Sequence, residues 1–138
     1  MSIDLMIFDP VSGTSRLATT NDFSADRPLT PLGSVVAITV TTSAATLATL
    51  MAAAGAAIDS TCTWIELKIR DDQSSTAVVR INYTATASAT SYDASMSLDV
   101  ARTDPVSLSG KGSQAQFNAY SLVSSTSAIV LVRQYREA

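Results

Sequence analysis

The side chains able to do acid–base or covalent chemistry in this 138-residue chain are few: it has no histidine, one cysteine and twelve carboxylates. Without imidazole there is no Ser-His-Asp or Cys-His arrangement and no histidine ligand for zinc. Cys62 stands at the start of a strand pattern with no partner nearby in sequence. Its ordinary reading is a buried structural thiol, set against that of a nucleophile. Asp71-Asp72 could meet a cation, but a calcium loop needs alternating oxygen ligands and a glycine, so a solvated turn is the plainer reading. Asp9, Asp22 and Asp26 are too dispersed to form a site by spacing. Glutamate occurs only at positions 66 and 137. A carboxylate pair for glycoside hydrolysis meets only in the fold and stays open at this point. Glu66 next to Lys68 reads as half of a cross-strand ion pair. Asn82-Tyr83-Thr84 fits an N-glycosylation pattern, which carries no weight without a signal peptide. The N-terminal residues lack the basic and long apolar regions of such a peptide.

Contact chemistry is better represented. Trp64, Lys68 and Arg70 alternate with Ile65, Leu67 and Ile69, so they share the polar side of one strand. Either a helix or a loop covers Trp64, or the ring contributes to an intermolecular contact, where Trp and Arg are enriched. The C-terminal run Arg133-Gln-Tyr-Arg-Glu137 repeats that mixture. It is either a solvated last strand or a surface where Arg133, Tyr135 and Arg136 meet a neighbouring subunit.

The elements that must position these residues are mostly strands. Ile3–Phe8 is a short apolar run ended by Asp9-Pro10. Residues 11–33 are long for a loop. They read either as an arm laid on a neighbour or as a loop draped on their own domain. Val36, Ile38 and Val40 then share one face at period two. Over residues 44–54 the period changes: Leu47, Leu50, Met51 and Ala54 follow helical spacing, with Ser43 as cap and Gly55 as the left-handed terminator. That helix carries no charge, so most of its surface is expected to be covered. Residues 61–70 and 76–84 alternate around a polar turn and read as a hairpin. Residues 85–95 read as a loop or weak edge strand. Further strands are expected at 96–100, 106–110, 116–123 and 128–135, the last buried on both faces near its middle. Roughly eight strands, with turns about every 8–12 residues, predict an all-β fold. The expected architecture is an antiparallel β-sandwich, jelly-roll-like, with one short helix at 44–54. An N-terminal strand and arm, 1–33, precede a sandwich domain, 34–138.

Composition narrows the partners. Net charge is −3 and the pI is near 4.6, and the nine Lys and Arg are scattered. No basic stripe for nucleic acid exists. The most apolar stretch, 44–58, is too short for a bilayer, which takes about 20 residues. A lone cysteine favours assembly in a reducing compartment. No cofactor, metal or catalytic residue is expected.

The succession of a β-rich stretch, Thr-Thr-Ser-Ala-Ala-Thr-Leu-Ala-Thr-Leu-Met-Ala-Ala-Ala-Gly-Ala-Ala-Ile, Trp-Ile-Glu-Leu-Lys-Ile-Arg and Val-Val-Arg-Ile resembles small virion proteins of tailed bacteriophages. Across residues 34–135 it is similar to the capsid decoration or cement class. The resemblance implies a non-enzymatic β-sandwich made in the host cytoplasm and placed on the capsid exterior. Its implied partners are the major capsid protein lattice and itself, as a dimer or trimer, with no nucleic acid and no membrane. It implies a mechanical role, bridging capsomers against internal DNA pressure. A tail, neck or fibre component, and a carbohydrate- or receptor-binding sandwich, are the competing expectations.

Overall fold

The computed structural model describes residues 6–9, 14–17, 29–83, 85–109 and 114–137. The chain divides into two compact units, residues 1–29 with 138, and residues 30–137. In the first unit, β1 (Met6–Asp9) pairs antiparallel with β2 (Thr14–Leu17), Met6 opposite Leu17 and Asp9 opposite Thr14. The remainder of the expected arm, residues 10–13 and 18–28, lies outside the described residues. Leu29–Gly33, placed in that arm by the sequence, belongs instead to a long strand, β3 (Leu29–Val40).

The second unit is an antiparallel β-sandwich. Its other elements are β4 (Ala45–Thr46), α1 (Leu47–Ala53), β5 (Trp64–Ile69), β6 (Val79–Asn82), β7 (Val106–Ser109), α2 (Gln114–Asn118), β8 (Ser121–Ser124) and β9 (Ala128–Glu137). One sheet has the order β3-β9-β5-β7, the other β4-β8-β6. Period-two alternation sends one side of each strand inward. Ile65, Leu67 and Ile69 of β5, Val130 and Val132 of β9, and Ile38 and Val40 of β3 meet Val79 and Ile81 of β6 and Leu122 of β8 in one continuous core. Phe117 of α2 and Leu47, Leu50 and Met51 of α1 join the same core. Burying each of these larger side chains contributes on the order of 1.5–3 kcal/mol.

Several expectations change. The helix spans Leu47–Ala53, not 44–54, and Thr46 caps it: its hydroxyl accepts from Thr49 N–H at 3.3 Å. Ser43 cannot cap because Ala45 and Thr46 are strand residues opposite Leu122 and Ser121. Only one stripe of α1 is buried; Thr49, Ala52 and Ala53 are exposed, so an uncharged surface here does not mean a covered one. A second helix, α2, occupies residues read as the start of a strand. Within 96–100 the single strand-like contact is Leu98 opposite Val79.

The largest correction concerns β5 and β6. They are not a hairpin but belong to opposite sheets. Residues 70–78 carry the chain across the core edge, and Gln73 ties that crossing down. Its N–H donates to Arg70 O at 3.1 Å, and its Oε1 accepts from Ile129 N–H at 2.8 Å. The true neighbours of β5 are β7 and β9. Strand β9 lies between β3 and β5; its inward side is buried, while Ile129 and Leu131 on the other side are half-buried.

Candidate interaction surface

The outer face of β3-β9-β5-β7 gathers most of the residues marked as contact chemistry. Alternation puts Trp64, Glu66 and Lys68 outward on β5, and Leu131, Arg133 and Tyr135 outward on β9. Register then makes cross-strand pairs: Trp64 opposite Tyr135, Glu66 opposite Arg133, and Lys68 opposite Leu131. On the other side of β5, Trp64 and Glu66 face Ser109 and Ser107 of β7. These serines are small, so the aromatic and charged side chains stand above them.

The polar groups form a chain along this face. Arg133 Nη1 donates to the Tyr135 hydroxyl at 3.5 Å, and that hydroxyl donates to Glu66 Oε2 at 3.4 Å. The Tyr135 hydroxyl and the Glu66 carboxylate hold the Arg133 guanidinium further into its charged range. Lys68 Nζ meets Asp71 at 2.6 Å and Arg70 Nε meets Asp72 at 2.6 Å. For the expected cross-strand pair, Glu66 has Arg133 opposite it, linked through the Tyr135 hydroxyl, while each carboxylate of the 71–72 turn takes one cation, Lys68 of β5 or Arg70 just past it. Hydrogen bonds from Arg70 and then Gln73 pull the Asp72 carboxyl below its ordinary value.

A shallow groove of about 210 Å³ crosses β3, β9 and β5 and reaches Pro105, just before β7; it is lined by Val35, Glu66, Lys68, Pro105, Leu131 and Arg133. Val35 is 41 % exposed. Trp64 is half-buried, and its indole Nε1 is enclosed without a hydrogen-bond partner. Aromatic, arginine and aliphatic side chains over a polar rim make up the usual composition of a protein contact.

Of the six residues marked by the sequence, Trp64, Lys68, Arg133 and Tyr135 share this face. Arg70 continues its parity just past β5. Arg136 does not join them: it alternates with Tyr135, and its charge acts on Asp59. The sequence did not mark Val35 and Pro105, because only the strand order brings them to the groove.

The remaining chemistry is separated. Cys62 is buried, and burial pushes its thiol above the ordinary value while its Sγ donates to Trp64 O at 3.3 Å. Asn82 is half-buried, with its Nδ2 donating to Ser91 Oγ at 3.1 Å. Among the described residues no three of His, Cys, Asp and Glu gather to hold a metal, and no helix is long and apolar enough to cross a membrane. Tyr83, just after β6, and Tyr120, just before β8, pair with ring centroids 5.0 Å apart. Comparisons with protein-family models, curated proteins and solved structures give no match to this chain.

Proposed function

We propose that this chain is a non-enzymatic structural protein of a bacteriophage virion, decorating the capsid exterior by docking on the lattice of the major capsid protein. The observation that carries the docking is the outer face of β3-β9-β5-β7, where Trp64, Tyr135, Arg133, Lys68, Val35 and Leu131 share one surface. The resemblance of residues 34–135 to the decoration class supports the virion assignment. Self-association as a dimer or trimer belongs to the same reading. On a lattice the contact repeats many times, so a modest affinity per copy suffices.

The test uses expanded capsids built from the major capsid protein encoded in the same genome. Purified protein binds them saturably and raises their melting temperature. Trp64→Ala and Arg133→Ala each weaken binding by about tenfold or more, the loss typical of a central anchor. Failure to bind capsids, together with absence from purified virions, sinks the proposal. Imaging of virions separates the capsid from a tail, neck or fibre position. A carbohydrate-binding role calls for several rings on one exposed face. Here Trp64 and Tyr135 lie on one sheet, whereas Tyr83 and Tyr120 pair beside the ends of β6 and β8 of the other.

A further inference from the structure

The opposite face of the sandwich holds a cation with no carboxylate. Arg80 points outward from β6, between the core residues Val79 and Ile81, and stands opposite Val123 of β8. Tyr92 lies under its guanidinium, 5.1 Å from Cζ to the ring centroid. No acidic side chain pairs with Arg80 among the described residues, and its Nε is enclosed without a hydrogen-bond partner. The nearby Asp93 is engaged elsewhere, accepting from Ser95 N–H at 3.0 Å and Ser95 Oγ at 2.7 Å. An enclosed Arg Nε with no acceptor, on a side chain held by a ring, is an uncommon arrangement, because a donor taken from water ordinarily finds one.

Arg80 also lines a pocket of about 320 Å³. Thr42, Ser88 and Ser125 line it with hydroxyl-bearing residues, and Ala44 and Ala87 keep it open through small side chains. The walls are held in place. Ala87 N–H donates to Ser121 Oγ at 3.0 Å, Ser91 N–H donates to Ser88 Oγ at 3.0 Å, and Ser125 Oγ both accepts from Val78 N–H and donates to Thr76 O. The pocket is thus a fixed recess with one planar cation and several hydroxyl-bearing neighbours.

We infer that this recess is a carboxylate-binding site, in which Arg80 holds the ligand's carboxylate and the Ser/Thr walls contact the group that bears it. A guanidinium presents paired N–H donors that match a carboxylate edge to edge. The volume exceeds that of a bare ion and fits the carboxylate together with a peptide or sugar fragment. The chain's net charge of −3 disfavours a polyanion. The site lies on the other sheet from the docking face and does not depend on the capsid reading.

The test is a nuclear magnetic resonance titration of the ¹⁵N-labelled full chain at constant ionic strength. The probes are N-acetylaspartate amide, glucuronate, inorganic phosphate and chloride. Either carboxylate saturably shifts the Arg80 Nε–H signal and the Ser88 and Ser125 amides; the tighter of the two identifies a peptide or a sugar acid as the source. Arg80→Gln abolishes the shifts while the rest of its spectrum stays unchanged. Arg80→Lys keeps the charge, loses the planar fork, and weakens binding by at least about tenfold; it decides the matter if the glutamine variant does not fold. No saturable shift overturns the site. So does an equal response to chloride, equal binding by the lysine variant, or phosphate binding more tightly than both carboxylates.

Discussion

Gln134 sits on the inward side of β9, in line with Val130 and Val132, and is 8 % exposed. Its amide is satisfied at both ends by one connector. Oε1 accepts from Asp59 N–H at 2.7 Å, and Nε2 donates to Ala57 O at 3.2 Å. Gln114 Nε2 secures the same connector through Ile58 O at 2.7 Å. Gln134→Leu keeps the side apolar but removes the partners of the Asp59 donor and the Ala57 acceptor. Both lie on exposed residues that water can reach, so the loss is that of the net hydrogen bonds, about 0.5–1.5 kcal/mol, and urea unfolding should show a loss of that size. An unchanged midpoint would mean that water replaces both bonds. The shared face of Trp64, Lys68, Arg133 and Tyr135 was readable because alternation is strict: it follows from counting in twos. The same counting sets Arg136 on the other side of the strand from Tyr135, which composition alone does not show. Nothing local in the sequence marks Gln134 as a bridge to residues 57–59, since its partners are 75 and 77 positions away.

Helix α1 ends in a closed turn. Ala56 N–H donates to Met51 O at 2.9 Å and Gly55 N–H to Ala52 O at 3.0 Å, with Gly55 at φ +74°. This is the Schellman arrangement. A Cβ at Gly55 would meet nothing within 4 Å, so the penalty for Gly55→Ala is conformational alone. Thermal or urea unfolding should show a loss of about 1–2 kcal/mol, with the structure otherwise intact; a larger loss would point to a clash. The end of this helix was legible, because glycine follows the last periodic apolar residue. Its start was not, because pairing of Ala45 and Thr46 with β8 overrides the serine two positions earlier. Helix α2 is only five residues long, too short for a period to show. The β5–β6 crossing looked like a hairpin for a physical reason: a polar turn between two alternating strands has the same composition whether the chain folds back in one sheet or steps to the other.

Strand order is where the sequence falls silent. The central pairing joins β5 to β9 across more than sixty positions, Trp64 to Tyr135 and Ile69 to Val130. Such long-range closure is slow, and folding on a millisecond-to-second scale is the expectation for this class. The topology also makes the two ends of the chain unequal. Removing residues 128–137 takes out the strand between β3 and β5, with Val130 and Val132 from the core. That truncation should lose its cooperative thermal transition. Removing residues 1–28 leaves every element of the sandwich unit in place, and circular dichroism should still report one cooperative melt. The reverse result would show that the core depends on the first unit. Fold class was readable because composition and alternation suffice for it. The groove was not, because Val35, Pro105 and Leu131 come together only through the order β3-β9-β5-β7.

That order leaves β3 as a border strand of twelve residues, with one long flank that no described strand of its sheet pairs. Such a flank templates further strands, and chains crowded side by side would tend to add to it without limit. Pro31 lacks a main-chain donor, and Gly33, at φ +68°, interrupts the regular extension of the strand. Both features make this rim a poorer template, and so disfavour open-ended addition along it relative to contacts through the sheet's face.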